Sequence, residues 1–248
     1  MHRFFVNKIS DNQAIIQGED YSHIVTVLRL KINEEIAVFN YEHGEFLAKI
    51  TDINTKEKII LLQIIKKIKD REKTNIKVIA IISLIKNDKM DFVIEKLTEL
   101  GITQIIPVIT KRTVVKINDI EKKLKRWEKI IYSAVKQCGR VTKPEIFSVV
   151  NSFKDLLKIV PENSFKLLIW EKEDKRYLID EIFNLKDVES ICFFIGPEGG
   201  FEQSEVQELL KNGFLSVSLG DTTLRVETAV ILTAGVIMQK VRRSKWKN

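Results

Sequence analysis

The rhythm of apolar and polar positions changes near residue 70. Ahead of it, short runs such as "RFFV", "QAIIQ", "EIAVFN", "EFLAKITDI" and "IILLQIIKKI" are separated by turn residues, among them Asp11-Asn12 and Asn54. That spacing predicts short strands, with one helical insert over "YSHIVTVLRL" at 21–30, and together they predict a small β-barrel of a type that often carries nucleic acid. The stretch "KDREKTN" at 69–75 is charged and has no apolar anchor, which places a domain boundary there and divides the chain into 1–72 and 73–248.

Beyond the boundary, strands and helices alternate. "KVIAIISLI" is a near-continuous apolar run of the kind buried in a parallel sheet, and "KMDFVIEKLTEL" follows at helical spacing with Gly101 as its stop. The strand "ITQIIPVIT" leads to a long helix, "DIEKKLKRWEKIIYSAVKQCG", that ends at Gly139. Later come "FKDLLKIV", the strand "FKLLIW" at 165–170, a helix over "RYLIDEIFNL", the strand "ICFFI", the helix "SEVQELLKNG", the strand "LSVSL" at 215–219 and a final apolar helix, "RVETAVILTAGVIMQKV". The pattern is that of an α/β domain with a mostly parallel sheet.

Composition narrows the picture only a little. At 248 residues and 44% hydrophobic content the chain can bury a sizeable core, and a net charge of +7 favours a polyanionic partner without specifying one. The apolar runs at 78–85 and 229–238 are too short to span a bilayer, and "MHRFFVNK" lacks the apolar core of a secretory signal. A cytoplasmic protein is expected. Two distant cysteines, Cys138 and Cys192, argue against a disulfide framework and against a cysteine-based metal site. His2, His23 and His43 all fall in the first fifth of the chain, so histidine is not the base of any chemistry in the second domain.

In open α/β sheets, ligands bind beyond the carboxyl ends of the strands. Three late strands run into "IWEKED", "IGPEGG" and "LGDTTLR", and Gly196 and Gly220 mark the ends of the second and third. Gly196-Pro197-Glu198-Gly199-Gly200 matches neither G-x-x-x-x-G-K-[ST] nor G-x-G-x-x-G, and its carboxylate and its proline suit a polyphosphate poorly. A neutral or cationic adenosine-type ligand held by backbone groups fits better, with S-adenosylmethionine as one example. In "LRVETAV" at 224–230, Arg225, Glu227 and Thr228 are consistent with ordinary capping of a helix start. Beside two glycine loops, Arg225 and a carboxylate are also candidates for polarising a substrate.

Six ordered segments carry a resemblance: "HRFFV" at 2–6, "HIVTVLRLKINEEI" at 23–36, "KMDFVIEKLTELGITQIIPVIT" at 89–110, "RWEKIIYSAVKQCGR" at 126–140, "IGPEGGFEQSE" at 195–205 and "LGDTTLRVETA" at 219–229. In them the chain resembles the RsmE family, methyltransferases that place a methyl group on N3 of a uridine in bacterial 16S ribosomal RNA. The departures are local: Asp221-Thr222-Thr223 lacks the family's usual basic residue and isoleucine, and Asn33 replaces a usual glycine.

The resemblance implies an N-terminal PUA-like small β-barrel for RNA contact. It also implies a C-terminal SPOUT α/β domain with a deep trefoil knot, which binds S-adenosylmethionine and dimerises. The implied cofactor residues are Trp170, Glu171, Ile195, Gly196, Pro197, Gly199, Gly200, Leu219, Gly220, Leu224 and Thr228. Arg225, Glu227 and Glu198 are the catalytic candidates: the arginine for charge on the uracil carbonyls, a carboxylate for the N3 proton. Arg3, Arg29, Lys89, Arg112, Gln137 and Arg140 are the RNA-binding candidates. The expected partners are 16S rRNA within the small ribosomal subunit and a second copy of the chain, with no metal and no membrane. Two alternatives stay open: a related methyltransferase acting on another RNA, and a catalytically silent RNA-binding or assembly protein.

Overall fold

A computed structural model describes residues 1–70, 76–116, 119–186 and 188–245. The chain forms two compact units, Met1–Lys73 with Val135–Lys143, and Thr74–Ala134 with Pro144–Asn248. Residues 71–75, on which most of the expected boundary falls, lie outside the described residues, as do the last three of the tail.

In the first unit a six-stranded sheet has the order β1-β4-β5-β6-β3-β2. Its strands are β1 (Arg3–Phe5), β2 (Ile9–Ser10), β3 (Gln13–Gln17), β4 (Glu35–Asn40), β5 (Gly44–Asn54) and β6 (Ile59–Lys69). The first pair is parallel and the others are antiparallel. Alternation does the sorting: in β3, Ala14 and Ile16 turn inward while Ile15 stays exposed. Phe4, Ile36, Val38, Ala48, Ile50, Ile60 and Leu62 complete one core from the other strands. Register shifts between β5 and β6 bend the two longest strands over that core. The helical insert is α1 (Glu19–Ser22) followed by a π-helical stretch, His23–Leu28, which buries Ile24 and ends on Arg29 in the left-handed region. Asn33 also has a positive φ, 80°, a conformation that asparagine tolerates better than most residues.

Residues 135–143 group with this first unit, although the composition shift near residue 70 gave no hint of it. The cause is polar. Arg3 donates to the carbonyls of Val135 at 2.8 Å and Lys136 at 3.3 Å, and to that of Arg140. Lys136 pairs with Asp20 at 2.6 Å, and Lys69 donates to the Gly139 carbonyl.

The second unit is built on six parallel strands in the order β12-β10-β11-β7-β8-β9. They are β7 (Lys77–Ser83), β8 (Gln104–Val108), β9 (Glu145–Ile146), β10 (Phe165–Ile169), β11 (Ser190–Ile195) and β12 (Phe214–Val217). Every residue of β11 is buried, as expected for a strand covered on both faces. The helices are α2 (Asn87–Leu100), α3 (Ile120–Cys138), α4 (Phe153–Ile159), α5 (Leu178–Asn184), α6 (Gln203–Lys211) and α7 (Val226–Lys245). The last turn of α3 already belongs to the first unit. Gly101 ends α2 at φ 104°, its N–H shared between the carbonyls of Leu97 and Thr98. Helix α7 packs on α2 and α5. Among the described residues, no helix is long and apolar enough to cross a membrane.

From β7 the chain builds outward through β8 and β9, then returns to the other side to lay down β10, β11 and β12. The direction of winding therefore switches beside β7, which is where open α/β sheets form their ligand crevices.

Candidate active site

Strands β10, β11 and β12 lie together in the sheet and run parallel, so their following loops emerge at one edge. With the starts of α2 and α7, these loops line a cavity of about 490 Å³. That size lies within the ~300–1,000 Å³ typical of small-molecule sites. Ile169, Ile195, Leu219, Leu224 and Ala229 supply apolar wall, and the segments 196–200 and 218–223 bring polar residues and glycines to it.

The glycine loop is shaped by its own neighbours. A Cβ on Gly196 would stand 3.0 Å from the Phe201 ring, which is buried edge-on against Phe194. Gly199 lies under Arg112, whose guanidinium donates to the Gly199 carbonyl at 3.0 Å. Gly200 has φ 67°, and a Cβ there would meet Glu171 Oε1 at 2.7 Å. Gly196 thus makes room for the Phe201 ring, Gly199 for Arg112, and Gly200 supplies a left-handed backbone.

Buried Glu205 fastens the far side of this loop. Its carboxylate accepts the Glu202 N–H at 2.8 Å in a reciprocal capping box and the Lys111 N–H at 2.8 Å, tying the start of α6 to the loop after β8. The loop after β10 is fastened by Glu173, which accepts from the Ser216 hydroxyl on β12. Burial opposes the Glu173 carboxylate, yet the Ser216 hydroxyl, the Lys175 and Arg176 N–H groups and the Arg176 charge together hold it below the usual carboxylate range.

At one side of the cavity lies a charged cluster. Lys89, in the first turn of α2, puts Nζ 3.3 Å from Glu227 Oε2 and 3.8 Å from Glu198 Oε1. Glu227 sits in the first turn of α7, where the helix dipole favours a carboxylate. Arg225 accepts the Ala229 N–H through its carbonyl, opening α7, and its side chain lines the cavity without an ion-pair partner among the described residues.

Of the expected cofactor residues, Glu171, Ile195, Gly196, Pro197, Gly199, Gly200, Leu219, Gly220 and Leu224 line the cavity. Trp170 and Thr228 are not among its lining residues: Trp170 packs on the core of the sheet, and Thr228 is exposed on α7. Arg225 and Glu198 line it, and Glu227 reaches it through Lys89.

The RNA-binding candidates divide. Arg29 and Gln137 are exposed. Arg140 is 7% exposed, too enclosed to meet a phosphate directly, and it lies with Arg3 beside Tyr41, whose hydroxyl burial pushes up to about 12 against both charges. Arg3 is occupied by the carbonyls after α3 and by Glu45 at 3.1 Å. Arg112 is exposed as well, where it meets the Gly199 carbonyl and Glu202, and Lys89 lines the cavity. The sequence carries a signal for the place of Lys89: β7 is a buried run in the same parallel sheet, so the segment after it opens at the same edge as the three later loops.

Two family models define the class: the RNA methyltransferase domain matches residues 72–238, and the RNA methyltransferase PUA domain matches residues 16–63. The ribosomal RNA small subunit methyltransferase E of Mesomycoplasma hyopneumoniae is 34% identical over 93% of this chain and 96% of its own length. That of Bacillus subtilis is 31% identical over 90% and 88%. A solved structure of the Neisseria gonorrhoeae protein of that name, bound to S-adenosyl methionine, is 27% identical, covers 96% of this chain and 97% of its own, and superposes with a TM-score of 0.83. The chain belongs to the ribosomal RNA small subunit methyltransferase E (RsmE) family.

Proposed function

We propose that this protein is an S-adenosylmethionine-dependent methyltransferase that methylates N3 of a uridine in the 16S rRNA of the small ribosomal subunit. The observation that carries this reading is the cavity at the ends of β10, β11 and β12, with two carboxylates at its side and an arginine that has no ion-pair partner among the described residues.

The residues present fit the cofactor. Backbone of the two glycine loops and the Glu171 carboxylate suit polar adenosine and amino-acid groups, and Ile169, Ile195, Leu219 and Leu224 suit an adenine ring. When bound, S-adenosylmethionine supplies an electrophilic methyl group on a sulfonium. The chain's own contribution is orientation, which can be worth on the order of 7–11 kcal/mol, and handling of the uracil N3 proton. Arg225 stabilises negative charge on the uracil carbonyl oxygens as that proton leaves. Glu198, the more loosely held of the two carboxylates on Lys89, accepts the proton, while Glu227 fixes Lys89.

The same reading takes the segment after β12 to be threaded as a deep trefoil knot, pairs the chain with a second copy, and gives the first unit a role in RNA contact in the cytoplasm. The return of the chain to place β11 between β7 and β10 supports a non-sequential threading. Calorimetric titration of S-adenosylmethionine, with methyl transfer measured for wild type and Arg225→Ala, tests the site. Cofactor binding with transfer lost in the variant is expected; full transfer by Arg225→Ala with weakened RNA binding would remove the arginine from the chemistry.

A further inference from the structure

Helix α3 carries six cations, Lys122, Lys123, Lys125, Arg126, Lys129 and Lys136, against two carboxylates, Glu121 and Glu128. Four of the cations, Lys122, Lys125, Arg126 and Lys129, line one shallow groove with Ile130 and Ser133. Their spacing puts them on one face of the helix.

That arrangement works against the helix. Lys122 stands in its first turn, at the positive end of the dipole, and 122/126 and 125/129 are like-charge pairs at i,i+4. The chain relieves little of this. Arg126 meets Asp91 of α2, Nε to Oδ2 at 2.7 Å, whereas Lys122, Lys125 and Lys129 have no ion-pair partner among the described residues. Neither Glu121 nor Glu128 pairs with the groove. On its flank, Lys123 lies over the Trp127 ring; burial, helped by the Arg126 charge, holds its ammonium below the usual lysine range despite Asp91. A local rule broken with so little compensation inside the fold points to a partner outside it.

We propose that this face of α3 binds the phosphodiester backbone of the RNA whose base enters the cavity, an inference that rests on the function proposed above. Asp91 links the groove to α2 two residues beyond Lys89, so one helix joins the groove to the cavity wall. Lysines without fixed partners contact phosphates as point charges, and they position RNA without selecting its sequence.

The test compares the full chain with a Lys122→Gln/Lys125→Gln/Lys129→Gln variant and with the matching Lys→Arg variant. Each is titrated with a small-subunit RNA fragment across a range of salt, alongside its melting temperature, its S-adenosylmethionine affinity and its transfer to assembled subunits. Three lost phosphate contacts are expected to make the slope of log K against log salt shallower by about 2. Cofactor affinity stays unchanged, KM for RNA rises, and the Arg variant keeps the wild-type slope. Equal slopes and affinities for all three proteins would overturn the proposal. So would a loss confined to assembled subunits, which would give the face to an acidic protein of the subunit. If the wild type transfers no methyl group to any RNA yet the slopes differ as stated, the functional reading fails and the phosphate-binding face stands.

Discussion

Lys89 Nζ stands 3.3 Å from Glu227 Oε2, joining the first turn of α2 to the first turn of α7 beside the cavity. Glu227 Oε2 is buried and makes no hydrogen bond of good geometry, so the Lys89 ammonium is its chief compensation. Lys89→Met leaves that oxygen unpaired. The expected result is a stability loss of about 1–3 kcal/mol and a fall in transfer on the order of 10²-fold, read by thermal unfolding and single-turnover kinetics. Lys89→Arg should recover much of the stability.

Gly196 and Gly200 should respond differently to alanine. At Gly196 the new methyl meets a Phe201 ring that is itself packed against Phe194, so overpacking should cost about 1–3 kcal/mol of stability. At Gly200 the obstacle is the end of the exposed Glu171 side chain, which can swing away, leaving a left-handed backbone cost of about 1–2 kcal/mol. A Gly200→Ala/Glu171→Ala double variant should then melt close to Gly200→Ala. Equal sensitivity of both glycines to the Glu171 change would contradict the packing account.

These glycines show how far the sequence carries. Their clustering at a strand end pointed to the edge where the cavity opens, because strand ends and backbone freedom are local properties. Which atoms demand them was hidden, since Phe201, Arg112 and Glu171 come to the loop by packing and, for the last two, from distant strands' ends. Likewise the apolar periods gave the main strands and helices, but not the two-residue strands β2 and β9, which are too short to show a period. The grouping of 135–143 with the first unit was equally invisible, because it rests on Arg3 reaching carbonyls more than a hundred residues away.

Arg3 should therefore behave as a structural residue. Arg3→Ala removes donors to the carbonyls after α3 and the pair with Glu45, and should lower stability by about 2–4 kcal/mol. The salt dependence of RNA binding by the folded variant should match wild type. A shallower salt slope with an unchanged melting temperature would show instead that Arg3 meets phosphate.

Cys192 sets an alkaline limit. Burial pushes its thiol up to about 12, from an ordinary value of 9.0. The folded state thus keeps a proton that the unfolded chain releases, so the stabilising contribution is complete below pH 9 and is lost as pH rises toward 12. Denaturant titrations from pH 8 to 11 should show stability falling, with a shallower fall in Cys192→Ala. At pH 8, Cys138 should react with iodoacetamide well before Cys192.

The most direct measurement is incubation of the protein and labelled S-adenosylmethionine with small ribosomal subunits lacking the modification, followed by digestion and identification of the labelled nucleoside. The account predicts N3-methyluridine from 16S rRNA, lost with Arg225→Ala. Binding of the cofactor with no label in any nucleoside, or label in a different one, would contradict it.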